Sequence, residues 1–172
     1  NTAPCILYAS LKIQKQNPDA LIVVAPSDHW IEDENSFLNN LEQCFNFCDQ
    51  NEALLTLGIQ PTFPNTGYGY IEYDKTDETA IKQVKQFREK PDYATAKVFL
   101  EKGNFLWNGG IFIWHVNTVL EAFAKFSPAM NQLFRQGYED YNTSAEGKWI
   151  EDNYAKADNI SIDYAVMEQA EN

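Results

Sequence analysis

Apolar residues recur along this chain with two different periods, and the switches between them mark out its elements. Over Asp33–Gln50, Phe37, Leu38, Leu41, Cys44, Phe45 and Cys48 repeat at the helical period and form one apolar face. The run Ala20-Leu-Ile-Val-Val-Ala25 has no polar position, the pattern of a central strand of a parallel sheet, covered on both faces. Ala53-Leu-Leu-Thr-Leu-Gly-Ile59 is a second buried strand, so strand, helix and strand make a crossover unit. Before them, Ile6, Leu7, Leu11 and Ile13 give Asn1–Gln16 an imperfect helical face, with Thr2 as a cap and Pro4 in the first turn.

The second half follows the same logic. Thr66–Ile71 leads into a strand, and Thr79–Phe87 reads as another on the loose alternation of Ile81, Val84 and Phe87. Asp92 caps a helix that runs to Lys102 and stops at Gly103. Ile111-Phe-Ile-Trp114 is a further apolar strand, ended by His115. Helices are then expected from the capping-box spacing Thr118-Val-Leu-Glu121, from Ser127-Pro128, over Ser144–Ala157 and over Ser161–Ala170. In the last of these Ile162, Ala165, Val166 and Gln169 share a face, while Asp163 and Glu168 read as solvated carboxylates without a role. The fold class this implies is α/β, a Rossmann-like mixed sheet flanked by helices.

Composition narrows the function. With 44% hydrophobic and 14% aromatic residues in 172, the chain is a packed globule of one domain, able to bury roughly two-thirds of its unfolded surface. A net charge of −12 disfavours nucleic acid and anionic membranes, and it makes each well-placed cation informative. No apolar run approaches the ~20 residues of a membrane span, and no signal-peptide pattern opens the chain. Three cysteines, two of them on the core stripe of one helix, lack the partners of a zinc site and read as reduced thiols of a cytoplasmic protein.

Three short signals lie in series: Thr66-Gly-Tyr-Gly-Tyr70, Glu89-Lys90-Pro91 and Trp107-Asn-Gly-Gly110. Each joins turn-forming backbone to a polar side chain suited to a small, phosphorylated, hydroxyl-rich ligand. Glycine admits close backbone approach, lysine is a point charge for phosphate, and glutamate and asparagine accept hydrogen bonds from hydroxyls. The first signal is neither a phosphate-binding loop with a Gly-Lys-Ser/Thr ending nor a dinucleotide fingerprint, since its third glycine is missing. Alone it could be a bulged strand, and a Glu-Lys pair before proline could be a solvated turn. Trp107 reads as a pocket wall. Asp28, in Pro26-Ser-Asp-His29 at the carboxyl end of the first strand, is either a turn residue or an oxygen ligand for Mg²⁺ on substrate phosphates.

The order and spelling of these motifs resemble the sugar-1-phosphate nucleotidyltransferases, and within them the mannose-1-phosphate guanylyltransferases. The likeness begins at Asn1-Thr-Ala-Pro4, passes through Pro26-Ser-Asp-His29 and Thr56-Leu-Gly-Ile59, and ends at Ile162-Asp-Tyr-Ala-Val-Met-Glu168. It implies a nucleotidyltransferase fold in which Asp28 binds Mg²⁺, Lys90 holds the sugar phosphate, and Gly69, Glu89 and Asn108 contact the sugar. Asn1, Thr2 and Pro4 would then lie near the nucleotide, where they otherwise only cap a helix. The implied ligands are GTP and mannose 1-phosphate, with a homodimer as the expected assembly. His29 is expected to orient rather than to act as a base, because a phosphate monoester is already an anionic nucleophile. The family more often has Ala where Ser27 stands and Ser where Gly109 stands, so any hydroxyl contact at 109 is lost.

Two parts of the resemblance are missing: the Gly-rich arginine signature that cradles the triphosphate, and a Trp-Ser-Asp-type segment with a second metal-binding carboxylate. Residues 1–172 are therefore expected to be the central and C-terminal part of a catalytic domain, incomplete at its N-terminal edge and inactive in isolation. Two other readings share these residues, a sister enzyme for another nucleotide and hexose phosphate, and a non-catalytic regulatory subunit that binds a sugar nucleotide.

Overall fold

Phe105–His115 form one strand of 11 residues, β5, and the other strands are placed along its two edges. The computed structural model describes all residues from 1 to 172. β1 (Leu21–Val24) pairs with the second half of β5, Leu21 opposite His115 and Val24 opposite Phe112. β2 (Leu54–Ile59) takes the opposite edge, from Leu54 opposite Trp114 to Ile59 opposite Trp107, with a bulge between Thr56 and Gly58. β3 (Tyr70–Tyr73) returns to the β1 edge and pairs with the first half of β5, Tyr70 opposite Trp107 and Glu72 opposite Phe105. β4 (Val84–Arg88) completes the sheet as a hairpin with β3.

Every pairing is antiparallel. Because β1 and β2 both oppose β5, they run in the same direction, and the crossover between them encloses β5. The apolar run of β1 implies parallel neighbours and cover on both faces. Its strand partner is the antiparallel β5 instead, and Val23 is 41% exposed.

Alternation along β5 divides the core into two faces. Phe112 and Trp114 point to one side and pack with Leu7 and Leu11 of α1 (Thr2–Gln16), and with Val119, Leu120 and Phe123 of α4 (Val116–Phe126). Phe134 of α5 (Pro128–Arg135) and Val166 close the same cluster. Burying each such side chain contributes about 1.5–3 kcal/mol, which makes this face the main source of stability. Ile111 and Ile113 point the other way, against Cys44 and Cys48 of α2 (Glu34–Gln50). That side is less covered than the periodicity implies: Leu38 is 59% exposed, and Phe37, Leu41 and Phe45 are only half-buried. A third cluster seats α3 (Tyr93–Lys102) through Ala96 and Phe99 on Tyr70, Phe105 and Trp107.

Several boundaries differ from the sequence reading for identifiable reasons. Asn1, not Thr2, caps α1 by accepting from the Thr2 N–H at 2.9 Å, and the Thr2 hydroxyl instead accepts from Ile162 N–H at 2.9 Å. Residues 79–83 are not strand, since Asp77 accepts from the Thr79 N–H at 2.9 Å and so offers the backbone a competing turn. α4 begins two residues before the capping-box position, with His115 Nδ1 accepting from Asn117 N–H at 3.2 Å. The expected helix over 144–157 is α6 (Glu146–Asn153) followed by a 3-10 turn (Tyr154–Lys156). The last expected helix is a single π turn, Asp163–Met167, in which Glu168 N–H bonds Asp163 O at 2.9 Å. The wider turn lets the consecutive residues Ala165, Val166 and Met167 all reach the core.

One polar clamp ties α1 to the distant chain. Glu146 accepts from Tyr8 Oη, Lys12 Nζ and, at 2.7 Å, Asn142 N–H. Lys12 and then Tyr8 hold its carboxyl down at about 2. Lys15 Nζ donates to the carbonyls of Tyr138, Glu139 and Tyr141 at 3.0, 2.7 and 2.9 Å. No helix is long and apolar enough to cross a membrane.

Candidate functional site

Between β1 and β3, the stretch 108–111 of β5 has no ladder partner on their shared edge. The polar residues of the three sequence signals converge on this gap. The Trp107-Asn-Gly-Gly110 segment is therefore part of a strand and not the loop its composition suggests, held by pairing with β2 and by the Asn108 N–H bond to Gly69 O at 2.8 Å. A Cβ built on Gly69 would lie 2.5 Å from Glu89 Oε2 and 3.3 Å from Asn108 Cβ, so only glycine leaves that carboxylate in place. At Gly109 a Cβ would sit 2.8 Å from Leu57 O, so a serine there requires movement of β2.

Glu89 follows β4, and its side chain is only 7% exposed, against 57% for Lys90. Lys90 Nζ donates to Glu89 Oε1 at 2.6 Å, and this bond holds the ammonium above the usual lysine range. Lys90 has φ 45°, a conformation disfavoured both for a side-chain-bearing residue and for one preceding proline. Strain of this kind costs about 1–3 kcal/mol and concentrates at working sites.

Two carboxylates that read as merely solvated in the sequence complete the arrangement. Asp163 Oδ1 accepts from Asn108 Nδ2 at 2.9 Å, and Glu168 Oε1 accepts from the Glu89 N–H at 3.2 Å. Burial, and then the charge of Glu89, push the Asp163 carboxyl upward, opposed by Asn108 and Lys90. The Asn108 oxygen accepts from Thr56 Oγ1 at 2.8 Å and from Gly110 N–H at 3.1 Å. Next to Asn108 in β5, Trp107 is buried, with Phe63 and Tyr68 each edge-to-face at 5.1 Å, and it packs in the cluster that seats α3.

With this geometry in view, residues 1–152 match the family described as Nucleotidyl transferase. The chain belongs to that family. It is 39% identical over 170 residues to the xanthan biosynthesis protein XanB of Xanthomonas campestris pv. campestris (strain B100), covering 98% of this chain and 36% of that protein. It is 32% identical over 176 residues to the mannose-1-phosphate guanylyltransferase of Escherichia coli, covering 98% and 38%. The crystal structure of mannose-1-phosphate geranyltransferase from Thermus thermophilus superimposes with a TM-score of 0.84 at 30% identity, over 100% of this chain and 48% of that one. The chain thus spans little more than a third of the curated relatives it matches.

In this member of the family, Gly69, Glu89, Lys90 and Asn108 come together, and no hydrogen bond or ion pair joins Asp28, Asn1, Thr2 or Pro4 to them. Asp28 is exposed beyond β1, whose end is fixed by Pro26, 3.6 Å from a Cβ built on Gly110. No group of three or more His, Cys, Asp or Glu side chains converges to hold a metal ion, at Asp28 or elsewhere. Asn1 is the exposed cap of α1, Thr2 is bonded to Ile162, and Pro4 is buried. Nothing in the sequence spacing singled out Asp163 and Glu168, because the π turn alone brings Asp163 to Asn108 of β5 and Glu168 to the Glu89 N–H beyond β4. A more apolar cleft of about 350 Å³ borders this network through Thr56 and Phe87 and is otherwise lined by Leu57, Ile71, Leu106 and Met167 among others. Its lining is mostly apolar, whereas Glu89, Lys90 and Asn108 converge on the gap, so the polar gap is the better candidate for a sugar phosphate.

Proposed function

We propose that the full-length protein transfers a guanylyl group from GTP to mannose 1-phosphate, giving GDP-mannose and pyrophosphate. The observation that carries this reading is the convergence of Gly69, Glu89, Lys90 and Asn108 on one gap in the sheet edge. Supporting it are the guanylyltransferase name of a relative alignable over nearly all of this chain, and the family itself. A phosphate oxygen of mannose 1-phosphate attacks the α-phosphorus of GTP, and the bond from that phosphorus to the β-phosphate bridge breaks. The attacking group is already anionic, so placement and charge neutralisation do the work, without a general base. Lys90 leaves its pair with Glu89 to meet the sugar phosphate, and Glu89 and Asn108 take the sugar hydroxyls beside Gly69. Mg²⁺ would be held by Asp28 and the substrate phosphates, where it would supply charge neutralisation at the triphosphate.

Pyrophosphate release by the full-length protein, measured over a panel of nucleoside triphosphates and hexose 1-phosphates with Mg²⁺, tests this reading. Turnover confined to GTP and mannose 1-phosphate is the expected result. Turnover with a different pair replaces the substrates, and silence with retained GDP-mannose binding identifies a regulatory subunit instead.

A further inference from the structure

The amide of Asn108 has almost no freedom. Its oxygen faces two donors, Thr56 Oγ1 at 2.8 Å from β2 and Gly110 N–H at 3.1 Å from its own strand. Its nitrogen faces a carboxylate, Asp163 Oδ1 at 2.9 Å, from the π turn. A backbone N–H only donates and a carboxylate only accepts, so these partners fix which end of the amide is oxygen. Two lone pairs and one amide hydrogen are then used. One amide hydrogen remains.

We propose that Thr56 and Asp163 are positioning residues that hold Asn108 as a donor only, so that it gives a hydrogen bond to the sugar and never accepts one. The inference rests on the sugar-phosphate reading of this gap and deepens it. Glu89, the carboxylate on the other side of Gly69, is an acceptor, and both Glu89 Oε2 and Asn108 Cβ lie within 3.3 Å of one point above Gly69. A ligand group that reaches both side chains must accept from the Asn108 amide and donate to Glu89. A hydroxyl does both, whereas a carbonyl or ether oxygen cannot donate and a protonated amine cannot accept. The site therefore reads one hydroxyl of the sugar in both senses, and the polarity of that reading is set by residues on β2 and the π turn.

The test uses four variants of the full-length protein, Thr56→Val, Thr56→Ser, Asp163→Ala and Asp163→Asn, with separate KM values for mannose 1-phosphate and GTP. A freed amide weakens one hydrogen bond, so Thr56→Val and Asp163→Ala should raise the sugar-phosphate KM about three- to tenfold. KM for GTP and kcat at saturation should stay within about twofold, and Thr56→Ser and Asp163→Asn, which keep the needed hydroxyl or oxygen, should restore most of the loss. Equal changes in both KM values, or none in Thr56→Val and Asp163→Ala, would overturn the proposal. The Asn108 side-chain NH₂ resonances of ¹⁵N-labelled protein provide an independent readout. They should be protected from exchange in the wild type and lose protection in Thr56→Val. Unprotected resonances in the wild type sink this inference whatever the substrate, while protected resonances in a protein inert toward mannose 1-phosphate sink the substrate reading alone.

Discussion

Asn108 and Asp163, 55 positions apart, are joined by a 2.9 Å hydrogen bond from the middle of β5 to the first residue of the π turn. The bond brings the C-terminal segment of the chain against the strand that organises the sheet. Through Thr2 and Ile162 the same segment is tied to the start of α1. The π turn that borders the gap is thus anchored to the start of the chain.

Lys90 combines a role toward phosphate with backbone strain, and two substitutions separate them. Lys90→Ala should lower kcat/KM for mannose 1-phosphate far more than it weakens GTP binding, as judged by steady-state kinetics and GTP titration. Lys90→Gly should lose the same activity yet unfold at a higher denaturant midpoint than Lys90→Ala, by about 1 kcal/mol, because glycine accepts φ 45° freely. Equal midpoints would show that the conformation carries no strain.

Gly69→Ala puts a methyl group 2.5 Å from Glu89 Oε2 and must displace that carboxylate. Loss of a hydrogen bond to a charged group is worth about 1.5–3 kcal/mol, so KM for the sugar phosphate should rise roughly 10- to 100-fold. Gly69 and the Glu89 side chain are both buried, so the displacement should lower the thermal midpoint as well.

Two carboxylates predict opposite pH dependences. Glu146 is held at about 2, below its ordinary 4.5, so its contribution is complete above 4.5 and is lost as pH falls from there toward 2. Glu146→Gln should flatten that acid limb in unfolding curves measured across pH. Asp163 is shifted the other way, so the native state holds its proton more firmly than the unfolded state. Stability then declines as pH rises through the window above its ordinary 3.8, a decline that Asp163→Asn should remove.

The thiols differ in reach and in chemistry. Burial, with Cys44 adding its charge, pushes Cys48 up to about 12, and burial also raises Cys44, while Cys5 is exposed. A thiol reagent at neutral pH should modify one cysteine per native chain, Cys5, and three after denaturation. Rapid native modification of Cys44 or Cys48 would show that α2 opens from the sheet.

Much of this architecture was legible because local chemistry and tertiary packing agree. α3 runs as Asp92 and Gly103 imply and α2 is the expected helix, while β2 is a strand as expected but is buried only at Leu54. The misreadings occur where the two conflict. Trp107-Asn-Gly-Gly110 has turn composition, yet pairing of Trp107 and Asn108 with β2 and the Asn108 N–H bond to Gly69 O draw it into β5. Thr79–Ile81 alternates like a strand, yet Asp77 turns it. The π turn has no sequence period of its own, because an i, i+5 bond is worth making only when the core rewards three adjacent apolar residues. Asp163 and Glu168 were overlooked for that reason, while Glu89 and Lys90 stood out by their neighbours in sequence.

Two strands placed end to end along one edge of β5 also set a length. From Trp107, the last partner of β3, to Phe112, the first of β1, is five residues of β5, at most roughly 16 Å if fully extended. It is less here, because Gly110 has φ 66° and the register against β2 shifts in this stretch. That opening is counted in whole residues of a single strand, so it cannot be widened by small adjustments. Adding one residue to β5 would lengthen it by a full step and turn every side chain beyond the insertion to the opposite face. Ligand preference in this scaffold can therefore drift through side chains such as those at 69, 89 and 108, while the size of the opening stays locked to the integrity of the fold.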